Sequence, residues 1–168
     1  LREGALFLLS ALALVLLLAL ITYSDQDGGF TRTRTHEITH NLMGPLGAEV
    51  ADVLFLFIGA TAFLLPITLA LTGYRIHLGR TSTPPPWLRF IRSSGFVLTV
   101  ISSAGVAALH FKSAMYPAGA GGIVGIEVGL GLQDAVGFVG STLLLLACWF
   151  AGVALYSGVS WFTVMDLI

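Results

Sequence analysis

Charge is scarce in this sequence. Asp, Glu, Lys and Arg together make up 10% of its 168 residues, the net charge is -1, and Lys112 is the one lysine. The arginines are scattered singly, which excludes the basic stripe that follows a nucleic-acid backbone, so no nucleic acid is expected to bind these residues. Cysteine is as rare. Cys148 stands alone inside an apolar run, which excludes an internal disulfide and a thiolate metal cluster, and it reads as a small core residue. No G-x-x-x-x-G-K-[ST] stretch occurs, so nucleotide hydrolysis on a phosphate-cradling loop is not expected here. Ionisable side chains are missing from the middle of every long apolar run, which removes the usual mark of a transporter or channel and leaves Pro66 as its sole encouragement.

What fills the sequence is hydrocarbon. Hydrophobic residues make up 56% and the mean hydropathy is +0.91, more apolar surface than a water-soluble domain of this length can cover. The expected fold class is an all-α membrane protein, one transmembrane domain over 1–168 with four spans at about 5–23, 53–74, 94–111 and 136–159. The first run has no charge and reaches about 28 Å as a helix. Ile21 to Asp25 after it form no small-x-small cleavage site, so the span is retained. The second carries Pro66 at its middle, which predicts a kink there. The third sets Ala104 and Ala108 one turn apart, a small-xxx-small face. The fourth holds Trp149, Phe150 and Gly152 and closes on an interfacial Trp161.

Positive charge sets the orientation. Arg75, Arg80, Arg89 and Arg92 surround Pro84, Pro85 and Pro86 between the second and third runs, which predicts a cytoplasmic loop at 75–92 and cytoplasmic termini. With Arg2 this places five basic residues inside, against Arg32, Arg34 and Lys112 outside. Trp87, Leu88, Phe90 and Ile91 leave two readings open, an amphipathic turn on the headgroups or an aromatic belt at a helix entrance.

Two periplasmic loops follow, 24–49 and 112–134. In the first, Thr35 is placed to cap a short helix over His36 to Met43, Gly44 to stop it, and Pro45 to open the next. Glu49 and Asp52 then complement the positive end of the second membrane helix. In the second, Gly121, Gly125 and Gly129 recur every four residues among Ile123, Val124, Ile126, Val128 and Leu130. That spacing offers either a glycine-faced helix packed on protein, re-entrant or surface-lying, or a flexible glycine loop.

One catalytic pattern is present. His36, Glu37, Ile38, Thr39 and His40 match H-E-x-x-H, which on a helix sets two zinc-binding imidazoles on one face with a glutamate base between them. The metal ligands would be His36 and His40 and the general base Glu37, giving a periplasmic-face zinc metallohydrolase acting on peptide or cell-wall substrates. Third-ligand candidates, Glu49, Asp52, His110, Glu127 and Asp134, are scattered, and no second metalloprotease signature follows. The competing reading is a loop displaying two histidines with no metal.

The stretch from Thr35 through His36, Glu37, Ile38, Thr39, His40, Asn41, Leu42, Met43, Gly44, Pro45, Leu46, Gly47, Ala48, Glu49, Val50, Ala51 and Asp52 to Phe55 resembles the first periplasmic loop and second helix of the FtsK cell-division DNA translocases. The order His-Asn-Leu, Gly-x-x-Gly-Ala, Ala-Asp is its specific part. Ser24, Asp25, Gln26 and Asp27 after the first helix, and Gly152 through Ser160, Trp161 and Phe162 at the close of the fourth, extend the resemblance over essentially the whole chain. It implies a multi-pass bacterial inner-membrane anchor at the division septum, and a long linker to a cytoplasmic hexameric ATPase that pumps chromosomal DNA. ATP and Mg would belong to that motor, and no cofactor to these residues. The implied partners are the lipid bilayer, further copies of the chain meeting through glycine and alanine faces, and other septum proteins at the outer loops. A catalytic zinc is not part of the family's usual description. The start at Leu1 and the end at Ile168 fit the expectation of a fragment ending just past the last span.

Overall fold

The computed structural model describes residues 2–31, 39–78 and 85–158, and among them every regular element is helical. Helix α1 spans Arg2–Ile21, α2 Gly44–Ile58, a 3-10 segment Gly59–Phe63, α3 Leu64–His77, α4 Pro86–His110 and α5 Gly122–Ser157. Four of the resulting rods are long and apolar enough to cross a membrane: Glu3–Ile21, Gly44–His77, Pro86–His110 and Gly122–Ser157. Leu and Ala, strong helix formers, make up most of α1. Its last turn is closed by side chains: the Thr22 hydroxyl donates to the Leu18 carbonyl at 2.7 Å, and the Asn41 amide donates to the Ala19 carbonyl at 2.8 Å.

The second rod is broken, but not at Pro66. Gly59 adopts φ 55° and ψ -144° and opens a 3-10 segment of five residues, Gly59–Phe63, after which the α-helix resumes at Leu64. Pro66 is the third residue of α3, inside the first turn, where a missing N–H has no intrahelical bond to forfeit. The break is instead filled from outside. The Ala60 N–H donates to the Ala120 carbonyl at 2.8 Å, so the connection between α4 and α5 is stitched into the gap in the second rod.

Helix α5 is two helices joined at Gly137, whose φ 75° and ψ 170° lie where only glycine is at ease. The first half, 122–136, lays its glycines on α4. A methyl group on Gly121 or Gly125 would collide with the Ala104 carbonyl, and one on Gly129 would meet the Gly105 carbonyl at 2.8 Å. Of the two readings of this loop the glycine-faced helix is the observed one, and Ala104 and Ala108 are its counterpart. Because these small-residue faces are buried against each other within one chain, they are not available for contacts between copies.

The second half, 138–157, runs antiparallel along α4. Gly95 fits beneath Leu155 and Tyr156, Gly152 beneath Thr99, and Gly105 beneath Leu145. Turning Ser141, Leu145 and Gly152 inward leaves Cys148 on the outside of the bundle, so it is exposed rather than a core residue. Helix α1 packs on α3, with Leu6 and Leu9 over Gly73. Trp87, Leu88, Phe90 and Ile91 belong to the first turns of α4 itself, the helix-entrance alternative, with Trp87 and Phe90 exposed. Trp161 lies outside the described residues.

The molecule is thus two helix pairs, α1 with α3 and α4 with α5, joined through α2 and the 3-10 segment. The described residues 22–31, 39–43 and 111–121 share one end of the bundle, and Leu78 and Pro85 lie at the other.

Candidate functional site

The end carrying the two long connections is the most constrained part of the chain. Its apolar base is aromatic. The Phe55 ring, 1% exposed, meets Tyr23 edge-on at 5.0 Å, Tyr116 at 4.5 Å and Phe63 at 5.8 Å. These rings come from α2, the two connections and the 3-10 segment, so burying them fixes all four together.

Two buried carboxylates stand above this base. Asp52, in the third turn of α2, accepts the Tyr23 hydroxyl at 3.0 Å, the Thr31 amide at 2.7 Å and the Thr31 hydroxyl at 2.8 Å. It therefore does not serve as a diffuse complement to the helix end; it holds the far side of the first connection. Gly29 makes room for it, since a methyl group there would sit 2.8 Å from the carboxylate. Glu49, one turn earlier, is exposed.

Asp27 is the second. Its side chain is 1% exposed and accepts the His40 amide at 2.7 Å, the Asn41 amide at 2.9 Å and the His40 Nδ1 at 3.1 Å. Burial pushes its carboxyl upward, yet the two amides and the imidazole outweigh burial and hold it below the ordinary value of 3.8. The next residues follow suit: the Leu42 amide donates to the Thr22 hydroxyl at 3.1 Å and the Met43 amide to the Asn41 Oδ1 at 3.0 Å. Gly47 leaves the space that Asn41 occupies, and Gly44, at φ 68°, turns the chain into α2, with Pro45 in its first turn.

Of the helix expected over His36 to Met43, the described part, Thr39 to Met43, is not helical. The amides of His40, Asn41, Leu42 and Met43 go to Asp27, Thr22 and Asn41 instead of to carbonyls four residues back. His36 and Glu37 lie outside the described residues. His40 is described, with its ring 53% exposed and its Nδ1 turned to Asp27, so the second histidine of the H-E-x-x-H pattern is engaged as part of the clamp and does not stand on a helix. His110, offered as a third ligand, instead pairs its Nε2 with the Thr142 hydroxyl at 3.0 Å and its ring with Phe138 at 5.0 Å. Glu127 and Asp134 sit exposed on the first half of α5. Among the described residues no three His, Cys, Asp or Glu side chains come together as a metal site.

Sequence reasoning saw Asp27 only as part of an acidic segment and gave Asp52 to the helix end. The partners of both carboxylates lie 13 to 29 positions away along the chain, so no local pattern announced them.

The chain matches, over residues 1–168, the family described as the 4TM region of DNA translocase FtsK/SpoIIIE. It is 36% identical over 171 residues to a DNA translocase FtsK of Pseudomonas syringae pv. syringae and 37% identical over 171 residues to one of Pseudomonas putida, in both cases across 99% of its own length. A DNA translocase FtsK of Pseudomonas aeruginosa is 32% identical over 173 residues, again across 99% of the chain. The chain spans about a fifth of the length of these relatives, 21%, 20% and 21% respectively. No solved structure matches it. The residues that build the two clamps, Asn41, Gly44, Gly47 and Asp52, are among those on which the resemblance rests, and with the match over its whole length the chain belongs to the family of FtsK/SpoIIIE 4TM regions.

Proposed function

We propose that this chain is the membrane-anchoring and septum-assembly module of a bacterial cell-division DNA translocase. In that reading both termini and the 78–85 connection are cytoplasmic, and the two clamped connections are periplasmic. The chain then tethers a cytoplasmic, ATP- and Mg-dependent hexameric motor to the inner membrane at the septum. Family membership over the full chain and four membrane-length helices support the anchor; the basic residues at the 78–85 end support the orientation.

The observation that carries the assembly role is at the clamped end. Phe30, Leu42 and Leu46 are 69%, 66% and 76% exposed, although Phe30 and Leu42 lie beside Thr31 and Asn41, which the two aspartates hold, and Leu46 stands in the first turn of α2. Large apolar side chains held out on a rigid support are what a protein partner docks on. Other septum proteins are the partner class this suits. Self-association must use surfaces other than the Gly121, Gly125 and Gly129 face, which is consumed within the chain.

The test is deletion of residues 1–168 from the whole protein in dividing cells, with the motor followed by fluorescence. The motor is expected to leave the septum and become diffuse; a deleted protein that still gathers there overturns the anchor. Nothing in the geometry around His40 favours the zinc hydrolase, and that reading is carried no further.

A further inference from the structure

Among the described residues, the end of the bundle opposite the clamps holds its helices apart. Helix α3 packs on α1 and α4 packs on α5, but α3 and α4 scarcely approach each other. Between them lies an open cleft of about 280 Å³. Its contents change along its length. Near its mouth it is lined by Thr72, Arg92, Ser93 and Tyr156, and deeper by Leu69, Phe96, Val97 and Thr68, whose hydroxyl is spent on the Leu65 carbonyl. The Arg75 guanidinium, one turn beyond Thr72, lies over the Tyr156 ring at 5.8 Å from its centre, so a second cation stands at the mouth.

Among the described residues no carboxylate pairs with Arg75 or Arg92, and the described carboxylate at this end is Glu3, on α1. Two half-buried cations above an apolar floor, inside a bilayer, call for a ligand that is anionic at one end and hydrocarbon at the other. A helix about 10 Å wide would find room in this volume for only about 4 Å of its length, whereas a slender acyl chain can enter it with its upper part and run on through the open side into the surrounding hydrocarbon. Trp87 and Phe90, exposed on the same first turns of α4, set the headgroup level at the mouth.

We propose that this cleft is a binding site for an anionic phospholipid. Its phosphate is held by Arg92, Arg75 and the Ser93 hydroxyl, and one acyl chain lies along Leu69 and Phe96.

The test is native mass spectrometry of the full 168-residue chain in detergent, titrated with dioleoylphosphatidylglycerol and, separately, with dioleoylphosphatidylcholine. Selective retention of phosphatidylglycerol is expected. Arg92→Gln and Arg75→Gln should each lower it about five-fold, Arg92→Lys should recover part of it, and Leu69→Trp should lower it with both arginines in place. Arg89→Gln, on the exposed face of α4, should change it less than about two-fold. Circular dichroism reports whether each variant keeps its helices, and Leu69→Trp and Arg92→Lys keep the proposal falsifiable if a glutamine variant unfolds. Equal retention of the two lipids, or a loss on Arg89→Gln as large as on Arg92→Gln, overturns the site. Displacement of the lipid by an equal concentration of soluble glycerophosphate would make it a free-phosphate site and also overturn the proposal.

Discussion

At the scale of single residues, two aspartates organise the part of this chain that faces away from the arginine-rich end. Asp27 gathers the amides of His40 and Asn41, and Asp52 gathers Thr31 and Tyr23. Replacing Asp27 by Ala leaves two amides without their acceptor, a loss of roughly 1–3 kcal/mol of local stability. Amide exchange at residues 40 and 41 should accelerate accordingly, and less in Asp27→Asn, whose carbonyl still accepts. The pH dependence has a definite sign. Asp27 titrates below 3.8 in the folded chain and near 3.8 when unfolded. The unfolded chain therefore binds this proton more readily, and the clamp's contribution is fully present above about pH 3.8 and fades as pH falls through the lower folded value. Exchange at His40 and Asn41, corrected for intrinsic rates, should stay flat from neutral pH to about pH 4 and rise only below it. A rise that begins well above pH 4 would contradict Asp27 as the group that controls the clamp.

At the scale of elements, the junction between the second rod and the second connection depends on Gly59. A side chain there meets both a positive φ and the Ala120 carbonyl, so Gly59→Ala should cost at least about 2 kcal/mol and lower the thermal unfolding midpoint in detergent. Gly125→Leu, which drives the first half of α5 off α4, should destabilise by roughly 1–3 kcal/mol. Gly131→Ala, with open space around its Cα, should be neutral or stabilise by up to about 1 kcal/mol. A melting series of these three variants checks the ranking. The elements also show what could be read in advance. The glycine register at 121, 125 and 129 and the opening of α2 at Pro45 were legible, because close packing and helix starts each have a local chemical signature. The break at Gly59 and the unwound segment 39–43 were not. Both are set by partners distant in sequence, Ala120 for the first and Asp27 and Thr22 for the second, and local propensity carries no record of such partners.

At the scale of the whole molecule, four apolar rods are arranged as two pairs, locked at one end, while at the other α3 and α4 stand apart among the described residues. Composition alone made the rods legible, since no soluble packing could hide so much apolar surface, and the family was legible from the loop residues that prove to build the clamps. In the proposed reading the function lies in what the two ends meet: exposed Phe30, Leu42 and Leu46 at one, and the cleft with Arg75 and Arg92 at the other. Replacing Phe30, Leu42 and Leu46 together by Ser should leave membrane insertion intact and abolish septal enrichment, which fractionation and fluorescence distinguish. The most direct test of the central claim is to follow residues 1–168 alone, joined to a fluorescent protein, in dividing cells. If the chain is an anchor and assembly module, it enters the inner membrane and concentrates at the closing septum without any motor attached. Uniform fluorescence around the cell envelope would contradict the assembly role, and fluorescence in the cytosol would contradict the anchor itself.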